Sequence, residues 1–278
     1  GHRVRRLPVA NPWAGAPVLY RRCTATTMQD ALRLYRCGRP GGTVVAAGRQ
    51  GRGCGRLEGR RWEAQAGRSL LFTIALDALP PMPPQRLPVL AGLAVACGVE
   101  EQLGVRLQVK WPNDVVHEGR KLAGVLCESV AAARPDRERL YLVGIGVNCN
   151  QLRFRGELAR TAVSLALLRG GSPIERWPLL ECILRRLADS LEDPRWRQRL
   201  EQRLAGLGQT ASLRRGGPAG EADGAGAVAL EGRVEGVAED GALLIRPAGA
   251  SAPMPVYSGE LRLSLSAAPL PGAGRSGR

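Results

Sequence analysis

Long apolar runs separated by glycine and proline constrain the fold of this chain more than any other feature. The run SLLFTIAL at residues 69–76 is long enough for one buried strand. A helix pattern covers residues 87–104 and ends at Gly104. Further strand patterns follow at 121–130 and 139–150. These patterns predict a domain that contains both buried strands and long helices.

Shorter patterns complete this first part of the chain. They predict a helix at 28–37, a strand at 41–48, a strand at 105–111, and one or two helices at 174–207, interrupted at Pro194.

The sequence pattern changes from helical spacing to short strand patterns near residue 206. Short alternating runs with turn signals such as Asp240-Gly241 predict a small β-barrel of about 60 residues. A loop rich in Gly and Ala at 215–227 leads into it. We therefore expect one domain over residues 1–205, a second over 206–266, and a disordered tail over 267–278.

Apolar content excludes several classes of protein. The chain has 278 residues, of which 44% are hydrophobic, and no apolar run reaches the roughly 18–20 residues of a membrane span. No charged-then-apolar leader opens the sequence. We expect a soluble, cytoplasmic protein with no membrane partner.

Cysteine and histidine usage limits the chemistry. The 7 cysteines are scattered singly and without a CxxC pair, which argues against a disulfide framework or a zinc site. With 2 histidines, His2 and His117, a histidine base or a histidine metal cage is not expected.

The net charge of +15 is compatible with nucleic-acid binding. Arginines run along the whole chain without a dense block, and 4% of the residues are aromatic, so stacking platforms for bases are scarce. The simpler interpretation of the high charge is that arginine is the general basic residue of this chain. Binding of phosphate stays possible, because the guanidinium group suits phosphate oxygens.

The loop RQGRGCGRLEGRRW at residues 49–62 combines glycines with arginines and ends at Trp62. Glycines let backbone N–H groups approach a ligand, and guanidinium groups suit phosphate oxygens. The same composition also fits a basic surface loop. Neither GxxxxGK[ST] nor GxGxxG occurs in it.

Lysine occurs only at positions 110 and 121, against 38 arginines. Lys110 ends a strand pattern, Pro112 stops it, Asn113-Asp114 turn the chain, and Lys121 begins the next strand. Both lysines therefore point to one pocket, in which a compact ammonium fits beside a carboxylate or phosphate where a guanidinium would collide. Asp114 is a candidate ligand for Mg²⁺.

The segment VGIGVN at residues 143–148 opens one face of a strand through its glycines. Asn148 would either read an adenine edge or hold a loop, and a strand relieved by glycine for packing against a helix is the alternative.

The chain resembles the biotin–protein ligases over about residues 24–263. The resemblance rests on the order of its motifs: the loop ending in GR-x-W, then KWPND, RKLAG, GIGVN and a small β-barrel. The resemblance implies an α+β fold. A mixed-sheet catalytic domain like the core of class II aminoacyl-tRNA synthetases would be followed by a small SH3-like β-barrel.

The resemblance also assigns site residues. The catalytic candidates are Lys121, Arg56, Lys110 and Asp114, with Asp114 also the metal ligand. The residues expected to bind biotin and nucleotide are Thr26, Thr27, Gln50, Gly53, Gly55, Arg56, Arg60, Trp62, Asn113, Lys121, Gly124, Gly144, Gly146 and Asn148. The sequence departs from the family pattern at Met28, where the family has asparagine, and at Cys54, where it has arginine.

The activity implied is ATP-dependent formation of biotinyl-5′-AMP with Mg²⁺, followed by transfer of biotin to a lysine of a biotin carboxyl carrier protein. Some family members carry an N-terminal helix-turn-helix, but the similarity begins within about 25 residues of the first residue, so no specific DNA binding is expected. The sequence leaves a homodimer open.

Three alternatives stay open. A lipoate–protein ligase or octanoyltransferase shares the fold, an arginine-rich nucleic-acid-binding protein explains the charge, and a degenerate ligase explains Met28 and Cys54.

Overall fold

The computed structural model describes residues 4–52, 62, 65–214 and 228–263. Within these ranges the chain forms two β-sheets and six α-helices. The strands of the first sheet are β1 (Arg5–Arg6), β2 (Val18–Arg21), β3 (Val44–Ala47), β4 (Ser69–Leu76), β5 (Gln108–Lys110), β6 (Asp114–His117), β7 (Arg120–Arg134) and β8 (Arg137–Asn148). The helices are α1 (Thr27–Arg36), α2 (Leu87–Leu103), α3 (Leu158–Thr161), α4 (Leu165–Leu168), α5 (Arg176–Glu192) and α6 (Trp196–Glu201). The strands of the second sheet are β9 (Thr210–Arg214), β10 (Val228–Val237), β11 (Leu243–Arg246), β12 (Met254–Val256) and β13 (Glu260–Leu263).

The first sheet has the order β1-β2-β3-β4-β8-β7-β6-β5. It is mixed because β2 and β3 run parallel, whereas the other neighbours are antiparallel. The predicted strand at 69–76 is confirmed as β4, which lies in the middle of this sheet and is buried along its whole length. Because strand side chains alternate between faces, a run that is apolar at almost every position fits a strand covered on both sides.

Helices cover both faces of the sheet. On one face α2 packs beside α5, and Gly98 allows close approach because a Cβ there would lie 3.0 Å from Ile183. The predicted end of α2 is confirmed, since Gly104 caps the helix with a left-handed φ of 70°. On the other face α1 packs through Ala31 and Tyr35 against β3, β4 and β8.

The remaining element predictions mostly hold. Helix α1 and the break between α5 and α6 lie where expected. The strand predicted at 105–111 is shorter, because its regular pairing covers only β5. Helices α3 and α4 were not predicted. The segment 215–227 and the tail 267–278 lie outside the described residues.

The second sheet is antiparallel, with the order β12-β11-β10-β9-β13. Its β10–β11 turn contacts the first domain, where the Trp111 indole N–H donates to the Gly241 carbonyl at 3.1 Å and Arg86 forms an ion pair with Glu239 at 2.9 Å. Gly241 has a φ of 90°, which favours glycine at this contact. The α+β prediction, a mixed sheet followed by a small β-domain, is confirmed. The domain limits at 205 and 266 stay predictions.

No helix in the described ranges combines the length and the apolar character that a membrane crossing requires.

Candidate functional site

Three glycines form an open floor on the α1 face of the sheet. Gly124 on β7 pairs with Gly146 on β8, and Leu126 pairs with Gly144 two residues further along. Because alternate residues share a face, the three glycines lie on one side of the sheet. The absence of their side chains leaves room beside the start of α1.

Two large side chains lie directly on this floor. A Cβ at Gly146 would lie 2.7 Å from the indole of Trp62, and one at Gly124 would lie 2.9 Å from the same ring. A Cβ at Gly144 would lie 2.8 Å from the Met28 sulfur. These contacts therefore require glycine at the three positions. The sequence predicted an open strand face, but it did not predict that Trp62 and Met28 would lie on that face.

Polar groups meet at the first turn of α1. The Thr27 hydroxyl donates to Gln50 Oε1 at 3.0 Å and lies 2.8 Å from the Thr73 hydroxyl, and the Thr27 backbone N–H donates to Gln50 Oε1 at 2.7 Å. Thr26 caps the helix by accepting from the Gln29 N–H at 3.1 Å. Thr27 is buried, so these bonds hold the polar edge of the cavity in place.

Both lysines lie near Asp114, on the side of the site formed by strands β5, β6 and β7. Lys121 Nζ is 2.7 Å from Asp114 Oδ1 and 5.6 Å from the centroid of the Trp62 ring. Lys110 is the cross-strand partner of Asp114 in the β5–β6 pair. Asp114 is therefore the ion-pair partner of Lys121 and the cross-strand neighbour of Lys110.

The two predicted asparagines hold backbone. Asn113 donates from Nδ2 to the Val125 carbonyl at 2.9 Å, and its own carbonyl accepts from the Val125 N–H at 2.8 Å. Asn148 is buried, donates to the Val163 carbonyl at 3.2 Å and accepts from Gln151 at 3.1 Å. Of the two roles predicted for Asn148, holding a loop is the one its hydrogen bonds perform in this structure.

Two cavities meet at these residues. The first, of about 170 Å³, lies between the start of α1 and the glycine floor. Its lining includes Thr26, Thr27, Met28, Gln50, Phe72, Gly124, Leu126, Gly144 and Gly146. The second, of about 850 Å³, includes Lys110, Asp114, Asn148, Phe154, Arg155, Glu157 and Arg262 in its lining. Trp62, Asn113 and Lys121 line both.

Several residues of the site were not found from the sequence. Thr73 is a polar residue inside an apolar run, which was a usable signal. Residues 154–158, which line the second cavity, include charged residues and a glycine without a periodic pattern. Residues 260–262 reach the second cavity from the small β-domain, a contact that depends on tertiary packing.

Gly53, Gly55, Arg56 and Arg60, predicted to face the nucleotide, lie outside the described residues, as does Cys54. Their assignments stay predictions.

Asp114 is the candidate metal ligand. Among the residues that the structure describes, no group of three or more His, Cys, Asp or Glu side chains could hold a metal ion. Mg²⁺ often uses one or two carboxylates and takes its other ligands from water and substrate phosphates. Asp114 lies at the wall of the larger cavity, whose lining also includes Glu157 and Glu260, and fits that kind of site.

The thiols of Cys127 and Cys149 are poor nucleophiles. Burial raises the pKa of Cys127 and of Cys149 to about 12, so both are protonated at neutral pH. The arrangement instead offers cations, a small cavity with a polar edge, and a larger polar cavity that shares Trp62, Asn113 and Lys121 with it.

Comparison with known proteins agrees with this arrangement. The model of the biotin/lipoate A/B protein ligase family matches residues 20–150. The bifunctional ligase/repressor BirA of Bacillus subtilis is 35% identical over 175 residues, which cover 61% of this chain and 52% of that protein. The chain thus spans about half the length of that relative.

Other relatives are matched over most of their length. The biotin–[acetyl-CoA-carboxylase] ligase of Paracoccus denitrificans is 31% identical over 233 residues, 81% of this chain and 93% of the relative. The biotin protein ligase of Aquifex aeolicus, solved in complex with biotin and ATP, superposes with a TM-score of 0.68 at 26% identity. That match covers 89% of this chain and 98% of the other. From these matches and from the motifs gathered around the glycine floor, the chain belongs to the biotin–protein ligase family.

Proposed function

We propose that the protein is an ATP-dependent ligase that activates biotin as biotinyl-5′-AMP and transfers it to a lysine of a biotin carboxyl carrier protein. Two relatives support the substrates: the Aquifex enzyme was solved with biotin and ATP, and the Paracoccus enzyme is named for acetyl-CoA carboxylase.

One observation carries the proposal. A small cavity with a polar edge and an apolar floor opens beside a larger polar cavity, and Lys121 lines both. An acid bound in the small cavity and a nucleotide bound in the larger one would bring a carboxylate and an α-phosphate to the same ammonium. Such proximity can supply a large part of the rate of a reaction between two substrates.

The small cavity suits the ring system of biotin. Ligand cavities of this kind combine apolar walls with a few placed polar groups. Leu126 and the three glycines supply the apolar surface, and Thr27 with Gln50 supplies the polar edge. The valeryl tail then runs beside Trp62 toward Lys121, since both residues line this cavity.

In the first step the biotin carboxylate attacks the α-phosphorus of ATP, the bond to the bridging oxygen breaks, and pyrophosphate leaves. Negative charge builds on the phosphoryl oxygens, and fixed cations stabilise that charge best where water is excluded. Lys121 and Lys110 supply such cations in the second cavity. Mg²⁺, for which Asp114 would be the protein ligand, supplies further charge neutralisation when bound.

In the second step the lysine amine of the carrier attacks the carbonyl carbon of the mixed anhydride. The amide forms, the acyl C–O bond breaks, and AMP leaves with the bridging oxygen while its phosphate takes the proton that the amine loses. Asp114 forms an ion pair with Lys121, which lines both cavities, and we assign Asp114 to orienting the incoming amine when the metal is not engaged. Trp62 covers the floor at Gly146 and excludes water from the anhydride.

The deciding experiment is ATP–pyrophosphate exchange with purified protein. Exchange that depends on biotin and is absent with lipoate or octanoate supports the proposal. Exchange with lipoate would favour the lipoate-ligase alternative. No exchange with any acid, together with oligonucleotide binding that weakens steeply with salt, would favour the nucleic-acid alternative.

A further inference from the structure

Resting on the proposed function, we infer that Met28 is a specificity-determining residue that recognises the sulfur edge of the biotin ring. Its sulfur lies on Gly144, at the end of the small cavity away from Lys121.

Lys121 and Met28 lie at different positions along strands β7 and β8. Lys121 belongs to the row of Gly124 and Gly146, because a Cβ at Gly124 would lie 3.1 Å from Lys121 Cε. Met28 belongs to the row of Leu126 and Gly144, two residues further along. Two strand residues span about 7 Å, which is the reach of a short acyl tail. A carboxylate at Lys121 therefore places the ring in the row of Met28.

The cross-strand row of Thr73, Gly144 and Leu126 changes in polarity from one strand to the next. Thr73 on β4 is the cross-strand partner of Gly144, and its hydroxyl contacts Thr27. Met28 lies above Gly144 on β8, and the next strand contributes Leu126. Within this row polarity thus falls from Thr73 on β4 to Leu126 on β7 over two strand spacings, about 10 Å. Glu128, which also lines the cavity, lies two residues further along β7 and outside the row.

Biotin matches this gradient in one orientation. Its urea lies along one edge of the bicycle and its thioether along the other. With the urea at Thr27 and Gln50, the ring sulfur meets the Met28 thioether and Leu126. Sulfur and apolar groups pack well against a methionine side chain, whereas oxygen atoms placed there would be buried without a hydrogen-bond partner.

Biotin sulfone carries two oxygens on that sulfur and leaves the urea and the tail unchanged, so it is the probe. We expect the wild-type protein to bind biotin at least about tenfold more tightly than biotin sulfone, measured by calorimetry without ATP. Met28→Ala makes room for the sulfone oxygens, so the ratio of the Kd for biotin sulfone to the Kd for biotin should fall at least about fivefold. Leu32→Ala removes a side chain of the same helix that packs against the same core cluster as Met28 but does not line the cavity, and it should leave the ratio unchanged.

A second pair of variants keeps the test independent of the folding of Met28→Ala. Gly144→Ala places a methyl group 2.8 Å from the Met28 sulfur, which pushes the side chain toward the ring and should raise the Kd of biotin about tenfold. Adding Met28→Ala to this variant should restore most of the affinity.

The inference is overturned if wild-type protein binds biotin but Met28→Ala keeps the wild-type ratio, or if the double variant shows no recovery. A wild-type protein that binds no biotin at all would instead reject the proposed function, and this inference with it.

Discussion

Replacement of Lys121 by arginine tests the argument for a slim cation most directly. Lys121 Nζ is held 2.7 Å from Asp114, and a Cβ at Gly124 would lie 3.2 Å from the same nitrogen. Arginine keeps the charge but adds two heavy atoms and a planar head. The variant therefore changes shape while conserving electrostatics.

The magnitude follows from comparing two contributions. The Lys121 side chain is 40% exposed, so weakening its ion pair with Asp114 costs at most about 1 kcal/mol. Overpacking against Trp62 and the glycine floor costs about 1–3 kcal/mol. The steric contribution is the larger one, and it corresponds to a loss of roughly 5- to 150-fold in kcat/KM.

The assay is biotin-dependent ATP–pyrophosphate exchange, with thermal melting to confirm folding. Arg120→Lys is the matched control, because Arg120 precedes Lys121 on the same strand and lines neither cavity; it should retain full activity. If Lys121→Arg kept wild-type kcat/KM, the pocket would tolerate a guanidinium and the reasoning would be wrong.

Three further changes test other parts of the molecule. Gly146→Ala places a methyl group 2.7 Å from the rigid indole of Trp62, so the KM for biotin should rise about tenfold or more; an unchanged KM would mean that Trp62 moves without consequence. Tyr35→Phe removes the hydrogen bond from the buried Tyr35 hydroxyl to Asp77, 3.1 Å long. It should lower the unfolding free energy by about 1 kcal/mol and Tm by about 2–4 °C with activity intact, and lost activity would contradict its placement away from the site. Because burial raises the pKa of Cys149 to about 12, about one thiol in ten thousand is ionised at pH 8. Iodoacetamide should therefore label the exposed Cys37 and leave Cys149 unmodified in the folded protein, as mass spectrometry of digested protein would show.

Much of the fold could be predicted because local patterns and tertiary burial agree. The 69–76 run gives a strand with the predicted limits, since every residue of β4 is buried. Helix α2 ends where Gly104 adopts a left-handed conformation, which a glycine after an apolar helix pattern indicates. The strand near Val105 is shorter than its alternation suggested, because pairing with β6 extends only over Gln108–Lys110.

The site was harder to predict than the elements that hold it. The two lysines mark one pocket because they flank a hairpin, and both line the larger cavity. The sequence does not reveal that Met28 and Trp62 fill the space above Gly144 and Gly146, because their chain positions are more than 80 residues from those glycines. Contacts from residues 260–262 depend on how the second sheet packs on the first, and no local pattern encodes that packing.

The most direct test of the two-cavity account is the mass of a carrier domain after incubation with the protein, biotin, ATP and Mg²⁺. The account predicts one added biotinyl group on a single carrier lysine, formed only when ATP is present and reduced when Lys121 is arginine. An unmodified carrier, under conditions where a known ligase modifies it, would contradict the account.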